Sequence, residues 1–220
     1  MSYHPELDTL KMYAAGELSA VDGLTIATHL ETCQECKEKV AEYEQHFGET
    51  LNLVRGEQDP SFDAMLVNIV GLEPDGSSVN LFRKPITIKV QGKTFSLPLS
   101  LSRFEDKIGR WRNYGGKVFS APIDICDSVR VNLLYISEGV SIPQHTHKGM
   151  ESTLILHGGF SDETGHYEAG DYLVKDGSDK HSPYTKDGED CLCLTVLTEP
   201  MMFTQGVARI FNLFGKGMYP

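Results

Sequence analysis

The sequence has no long hydrophobic run, and no stretch approaches the ~18 consecutive apolar residues that a membrane-spanning helix requires. Its first ten residues, MSYHPELDTL, contain neither a basic nor an apolar segment, so we expect no secretion signal. Basic residues are also few, because 20 Lys and Arg stand against 31 Asp and Glu and give a net charge of −11. Such an acidic chain disfavours direct nucleic-acid binding and favours a basic partner surface.

Cysteine is scarce as well, with five residues among 220. An odd number without an export signal is typical of a reducing compartment, where closely spaced cysteines more often bind metal than form disulfides. We therefore expect a cytoplasmic protein. The composition is otherwise ordinary, with 40% hydrophobic and 23% charged residues, which excludes collagen, coiled-coil and wholly disordered chains.

The chain divides into parts of different texture. Residues 1–70 carry helical periodicity, and residues 71–85 are rich in Gly, Pro, Ser and Asp, as expected for a linker. Residues 86–220 contain short β-branched or aromatic runs between turns, which predict a β-sandwich or barrel. The fold class is therefore α+β, with a small all-α domain followed by an all-β domain. Helix starts are indicated at Pro5, Ser19, Thr32 and Asp59. The clearest predicted strands are ITIKV, TFSLPL, KVFSAPI, VRVNLLYI, STLILHG, DYLVK and CLCLTVL.

The pattern His29-x3-Cys33-x2-Cys36 is the main feature of the helical part. A helix break at Thr32 would place His29 in the last turn of one helix and both cysteines in the first turn of the next. Cys33 and Cys36 would then share one helical face, where the helix dipole favours thiolates. Structural zinc sites use four nitrogen or sulfur ligands, so a fourth residue is needed.

We choose His4 as the fourth ligand. It precedes the first helix, whose start lies beside the end of the second helix if the two form an antiparallel hairpin. His46 is a poor candidate, since its 17-residue separation from His29 corresponds to ~25 Å along a helix. A Cys-x2-Cys pair can also be a redox pair, and that alternative stays open at this point.

The β part contains a second set of potential metal ligands, namely His145, His147, Glu151 and His181. In His-x-His both imidazoles share one face of a strand, because strand side chains alternate. Glu151 follows a short turn and is expected on the paired strand, and His181 on a later one. Three histidines and one carboxylate suit a divalent first-row metal, with Zn2+ as our first choice and Fe, Mn or Ni as alternatives.

The remaining histidines and cysteines of the β part carry weaker signals. His157 and His166 do not fit the pattern and are interpreted as ordinary polar residues. Cys126, Cys191 and Cys193 lie in strand-like runs and are expected in the core, although a reactive thiol remains open.

The pattern Gly139-x5-His145-x-His147-x3-Glu151-x6-Gly158 resembles the first cupin motif at every fixed position. The later cupin motif is matched at Gly170 and His181. The chain departs from that later motif at Asp176, Ser178 and Thr185. The resemblance implies a metal-binding cupin domain, that is, a double-stranded β-helix or jelly roll.

The helical part resembles the zinc-binding anti-sigma domain. The residues that carry this resemblance are His4, Tyr13-Ala14-Ala15-Gly16, Thr28-His29-Leu30, Cys33 and Cys36. Followed by a cupin, the whole chain is similar to ChrR-type anti-sigma factors. The resemblance implies a cytoplasmic repressor of an extracytoplasmic-function sigma factor, whose cupin helps to sense singlet oxygen or related oxidants. It implies neither catalytic residues nor nucleic-acid binding.

The charge of the helical part agrees with such a role, since residues 1–50 hold ten acidic and three basic residues. An acidic domain can mask the cationic surface that a sigma factor turns towards promoter phosphates. A solvated surface explains the same charge. Two other functions stay open, a metal-dependent cupin enzyme such as a dioxygenase or isomerase with an accessory helical domain, and a small-molecule-binding cupin without chemistry. Co-purification with a small basic protein would favour the regulator, and oxygen uptake with iron would favour the enzyme.

Overall fold

The computed structural model describes residues 2–51, 60–73, 84–206, 208–209 and 212. Its helices are α1 (Leu7–Ala15), α2 (Ala20–Leu30), α3 (Gln34–Leu51), α4 (Pro60–Val70) and a short α5 (Leu99–Ser102). Its strands are β1 (Thr87–Val90), β2 (Lys93–Ser96), β3 (Arg112–Tyr114), β4 (Val118–Pro122), β5 (Arg130–Ile136), β6 (His145–His147), β7 (Glu151–Ser161), β8 (His166–Glu168), β9 (Tyr172–Lys175), β10 (Cys191–Leu197) and β11 (Met201–Phe203).

The helix ends follow the local signals in most places. Gly16 ends α1 in the left-handed conformation, with φ 72°. Ser19 caps α2, since its hydroxyl accepts a hydrogen bond from the Asp22 amide at 3.1 Å. The predicted helix break at Thr32 is confirmed, since α2 ends at Leu30 and α3 begins at Gln34. The predicted start of α3 at Thr32 is wrong, because Cys33 occupies the position before the helix and the Thr32 hydroxyl donates to the His29 carbonyl. The predicted start at Asp59 lies outside the described residues.

All seven predicted strand segments contain a strand, and every strand pair among the described residues is antiparallel. The larger sheet has the order β3-β4-β5-β10-β7-β8, with β9 also paired to β7, and β6 pairs with β11 in a small separate sheet. The α+β fold class and the order of its two parts are therefore confirmed. The predicted domain limits 1–70, 71–85 and 86–220 stay a prediction, because residues 74–83 lie outside the described residues.

The helices pack against the β part and share its core. Buried residues of α1 and α2 belong to one apolar cluster with residues of β1, β2 and β5. Polar contacts reinforce this packing. The Glu31 carboxylate accepts hydrogen bonds from the amides of Leu99 and Ser100 at 2.8 and 2.6 Å, and the Thr28 and Ser100 hydroxyls lie 2.8 Å apart. The first turn of α5 is thus held by the end of α2.

A bulge where β7 pairs with β10 bends the larger sheet. Gly158 adopts φ 62° there, and a Cβ at this position would overlap the Asp190 carbonyl. The Asp190 carboxylate accepts hydrogen bonds from Lys93 at 2.6 Å and Tyr135 at 2.8 Å. Burial alone would raise the pKa of Asp190, but these two partners hold it below its usual value.

Candidate metal centres

The structure brings His4, His29, Cys33 and Cys36 into one cluster. His4 Nδ1 lies 3.4 Å from Cys33 Sγ and 3.4 Å from Cys36 Sγ. With Zn–N of ~2.0–2.1 Å and Zn–S of ~2.3 Å, a tetrahedral zinc places its nitrogen and sulfur ligands about 3.5 Å apart. The observed separations therefore suit one tetrahedral ion between these side chains.

His29 is fully buried and has one ring nitrogen free for a metal. Its Nδ1 lies 2.8 Å from the Gly170 carbonyl oxygen, which can only accept, so Nδ1 carries the proton. Its Nε2 is buried and has no hydrogen-bond partner among the described residues. Burial lowers the pKa of His29, which favours the neutral, metal-binding form. An orphaned buried nitrogen beside two thiols fits a cation ligand.

The two cysteines are free thiols at the start of α3. Cys33 Sγ lies 3.5 Å from the Cys36 amide nitrogen, which points towards it. Burial, with a further contribution from Cys33, raises the pKa of Cys36 to about 12. Without a cation this thiol stays protonated, and a bound divalent ion would supply the charge that a thiolate needs. The two neighbouring imidazoles favour a metal site over a redox pair.

The second cluster joins His145, His147, Glu151 and His181, all four of them buried. His147 Nε2 lies 3.0 Å from Glu151 Oε2 and 3.3 Å from His181 Nε2. These separations match neighbouring ligands around one ion with bonds of ~2.0–2.2 Å. The donor set of three imidazoles and one carboxylate suits Zn or another divalent first-row metal.

Strand pairing positions these ligands differently from the sequence prediction. His145 and His147 project from β6 to the same side, as alternation requires. His181 pairs directly with His145 through two backbone hydrogen bonds of 3.1 Å. The prediction that Glu151 lies on the strand paired with β6 is wrong. Glu151 begins β7 in the larger sheet, whereas β6 pairs with β11, so the site is built from both sheets.

The charges within the second cluster support one another. Burial, followed by the nearby His181, lowers the pKa of His145 to about 4. Burial alone would raise the pKa of Glu151, but the His147 hydrogen bond and the adjacent imidazoles hold it below its usual value. At neutral pH the cluster thus contains the Glu151 carboxylate anion beside the neutral imidazole of His145, the forms in which these two residues bind a cation.

Two outer contacts orient the imidazoles. His145 Nδ1 lies 3.0 Å from the Pro143 carbonyl oxygen, so its Nε2 is left for a metal. His181 Nδ1 lies 3.4 Å from Asp162 Oδ2, a carboxylate–histidine arrangement typical of metal ligands. The sequence did not predict this role for Asp162, because a single Asp that lies 19 residues before His181 forms no recognisable motif with it. The Nδ1 of His147 has no partner among the described residues.

A cavity of about 700 Å³ opens beside the second cluster. Its walls are mostly apolar and come from both sheets, while three of the four ligands, His145, Glu151 and His181, line it as well. A metal held there would face space large enough for a small organic molecule.

The other singled-out residues belong to neither cluster, although Cys193 lines the cavity beside the second one. His46 is exposed on α3, and His157 and His166 have partly exposed side chains beside Asp190 and Glu189. Cys191 and Cys193 are buried in β10, as expected. The expectation of a buried Cys126 is wrong, because this residue follows the end of β4 and is exposed.

Comparison with known proteins identifies the family. Residues 110–200 match the model of the ChrR cupin-like domain. The anti-sigma-E factor ChrR of Cereibacter sphaeroides is 30% identical over 216 residues, which cover 96% of this chain and 97% of that protein. A crystal structure of Rhodobacter sphaeroides SigE in complex with the anti-sigma ChrR matches with a TM-score of 0.67 and 30% identity, over 89% of this chain and 98% of that one.

Both of these relatives are anti-sigma factors. Both are regulators, so the prediction that the chain is not an enzyme is confirmed by its similarity to them. Among the described residues, no helix is both long and apolar enough to cross a bilayer. With a relative at this identity over nearly its entire length, and with both ligand sets assembled in the fold, the chain belongs to the family of ChrR anti-sigma factors.

Proposed function

We propose that the chain binds and inhibits an extracytoplasmic-function sigma factor in the cytoplasm, through a zinc-stabilised helical domain of residues 1–70. The similarity to ChrR over 96% of the chain carries this proposal, since it includes both the helical and the cupin parts. His4, His29, Cys33 and Cys36 would hold zinc, because a set of two thiols and two imidazoles at tetrahedral spacing suits that ion. The chain itself makes no contact with DNA in this proposal.

Helix α4 supports a protein-binding role for the helical part. Exposed apolar residues on and just after this helix offer contact surface: Phe62, Met65, Leu66, Val67, Ile69, Val70 and Leu72. Apolar patches of this kind mark protein–protein interfaces when charged residues surround them. The ten acidic residues among 1–50 would complement a basic sigma surface and accelerate its binding.

Binding is tested with the sigma factor that co-purifies from the native cell. A fragment of residues 1–75 should inhibit transcription by that sigma factor. In the full chain, Leu66→Glu should weaken binding at least tenfold, because a charge would enter an apolar contact. Val174→Glu on β9 is the matched control, since it places the same charge at an exposed apolar position of the β part. A zinc-loaded fragment that fails to inhibit would contradict the assignment of sigma binding to residues 1–75.

We further propose that the cupin centre senses oxidants such as singlet oxygen and triggers release of the sigma factor. His145, His147, Glu151 and His181 would hold Zn2+, with Fe, Mn or Ni as alternatives, in the wall of a cavity through which small molecules can approach. The double variant His145→Ala/His147→Ala should lose this metal, keep sigma binding and respond abnormally in an oxidant-induced reporter strain. A normal response from a demonstrably metal-free variant would reject a signalling role for the metal.

A further inference from the structure

One short segment, residues 162–172, contacts both candidate metal centres. It contains β8 and the turns at its two ends, so one end lies beside the cupin ligands and the other beside the helical ligands. The proposed function gives no role to this segment. It contacts the two centres through Asp162 and Gly170, and Tyr167 lies between these two ends.

At the cupin end, Asp162 orients a ligand. Its side chain is fully buried, with Oδ2 at 3.4 Å from His181 Nδ1. Its Oδ1 accepts hydrogen bonds from the Thr164 amide at 2.8 Å and from the Tyr167 hydroxyl at 2.9 Å. The contact with Oδ2 orients the His181 ring and fixes its tautomer.

At the helical end, the turn after β8 holds His29. The Gly170 carbonyl accepts the Nδ1 proton of His29 at 2.8 Å, which directs Nε2 towards the cluster. Gly170 adopts φ 97°, a backbone conformation that L side chains rarely adopt, which explains why glycine occupies this position of the turn. The cupin part thus supplies the outer-shell acceptor for a ligand of the helical centre, 141 residues away in the chain.

The same turn holds the segment that carries His4. Asp171 Oδ1 accepts hydrogen bonds from the Ser2 and Tyr3 amides at 2.7 and 3.1 Å. The Tyr172 amide donates to the Tyr3 carbonyl at 3.0 Å. Since His4 is the next residue after Tyr3, these bonds fix the backbone from which His4 reaches the thiols. Neither helical histidine is positioned by the helices alone.

Tyr167 joins the two ends. Its ring packs edge-on against the Tyr3 ring, with centroids 4.7 Å apart, and its hydroxyl donates to Asp162. A Cβ at Gly165 would overlap the Tyr3 hydroxyl, so the Tyr3 side chain is closely enclosed by the β7–β8 turn. A displacement of Asp162 therefore moves Tyr167, and a displacement of Tyr167 moves the segment that bears His4.

We propose that residues 162–172 couple the two metal centres, with Asp162 and Tyr167 as positioning residues, so that loss of the cupin metal weakens zinc retention at the helical centre. The inference rests on the metal centres of the proposed function. Coupling between binding sites is reciprocal, so the helical zinc must stabilise the cupin metal by the same factor. This gives a change in the cupin cavity a physical route to the domain proposed to bind sigma.

The test measures occupancy of the helical centre separately in the zinc-loaded full chain. The protein is equilibrated with increasing concentrations of a zinc chelator and pulsed with an alkylating reagent, and mass spectrometry then follows the peptide with Cys33 and Cys36. We expect a lower chelator concentration at half-maximal alkylation in three variants: Tyr167→Phe, Asp162→Asn and His145→Ala. The concentration should fall about fivefold or more relative to wild type, because fivefold is the lower limit of typical coupling between two binding sites. Glu168→Gln is the matched control, because its side chain is exposed on the same strand.

The outcomes separate the coupling from the proposed function. An alkylation midpoint equal to the control, in a His145→Ala protein shown by metal analysis to lack its cupin metal, would overturn the coupling. An unchanged alkylation midpoint in Tyr167→Phe would overturn the route through Tyr167. This variant keeps the aromatic ring, so it still tests the coupling if Asp162→Asn fails to fold. If wild-type protein binds no metal at either cluster, the proposed metal centres are refuted instead. Binding of the sigma factor is measured in a separate assay, so its failure can be distinguished from a failure of the coupling.

Discussion

Removal of the two thiols from the helical centre gives the sharpest test of the proposed zinc site. In the double variant Cys33→Ser/Cys36→Ser, only the two imidazoles of the cluster remain as ligands. Serine keeps the size of the side chain but supplies no thiolate, so the variant removes metal binding with little change in packing. We expect the metal content to fall from two ions per chain to one.

The expected cost to stability follows from the thin apolar core of the helical part. Within residues 2–51 the buried apolar side chains other than cysteine are Leu10, Val21, Leu24, Ile26, Leu30 and Val40. At ~1.5–3 kcal/mol each, they contribute about 9–18 kcal/mol before the entropy of folding is subtracted. Structural zinc contributes ~10–16 kcal/mol in small zinc domains. Because the two contributions are comparable, α1–α3 should lose most of their helical structure without the ion.

Metal analysis and far-ultraviolet circular dichroism measure this outcome. The control is Cys126→Ser, which removes an exposed thiol that belongs to neither cluster. It should retain both ions and the wild-type spectrum. Unchanged zinc content in the double variant would refute the site, and so would a Cys33–Cys36 disulfide in protein kept reduced.

Three further substitutions, one of them with a control variant, test the fold around the centres by chemical denaturation. Ser19→Ala should cost about 1 kcal/mol of stability through loss of the α2 cap, and an unchanged denaturation midpoint would contradict the cap. Gly158→Ala should lower the free energy of unfolding by about 2–5 kcal/mol, because its Cβ would overlap the Asp190 carbonyl and its backbone is left-handed. Gly188→Ala is the control: its backbone is also left-handed, but its Cβ would meet no neighbouring atom, so the loss should be only ~1–2 kcal/mol. Asp190→Asn should cost about 1–2 kcal/mol at pH 7, since one of its partners is half exposed. The native pKa of Asp190 is lowered, so the part of this difference that comes from its charge should be fully present above the unfolded value of ~3.9 and be lost as the pH falls from there through the native pKa; a difference that grows in acid would refute the reasoning.

Short-range spacing accounts for what could be predicted of the metal centres. Cys33 and Cys36 lie three residues apart at a helix start, and His145 and His147 alternate on one strand. The geometry within each pair is set by helix or strand periodicity alone. The choice of His4 also came from the sequence, on the expectation that a hairpin of two helices returns the chain to its starting end, but the structure shows that the turn at Asp171 and Tyr172 fixes the segment that carries it. The fold class followed from the change in texture between the two parts.

Long-range pairing decided the rest. Glu151 belongs to the larger sheet rather than to the partner of β6, since the choice of strand partner depends on the whole sheet and not on the turn before the residue. Cys126 was expected in the core as part of a strand-like run, but β4 ends at Pro122, four residues before it, and the thiol is exposed. Asp162 and Gly170 contact ligands 19 and 141 residues away, and no local pattern encodes such contacts. The residues of each candidate metal cluster could thus be chosen from local spacing and resemblance, whereas the contacts that orient their imidazoles depend on packing between distant segments and became visible only in the folded chain.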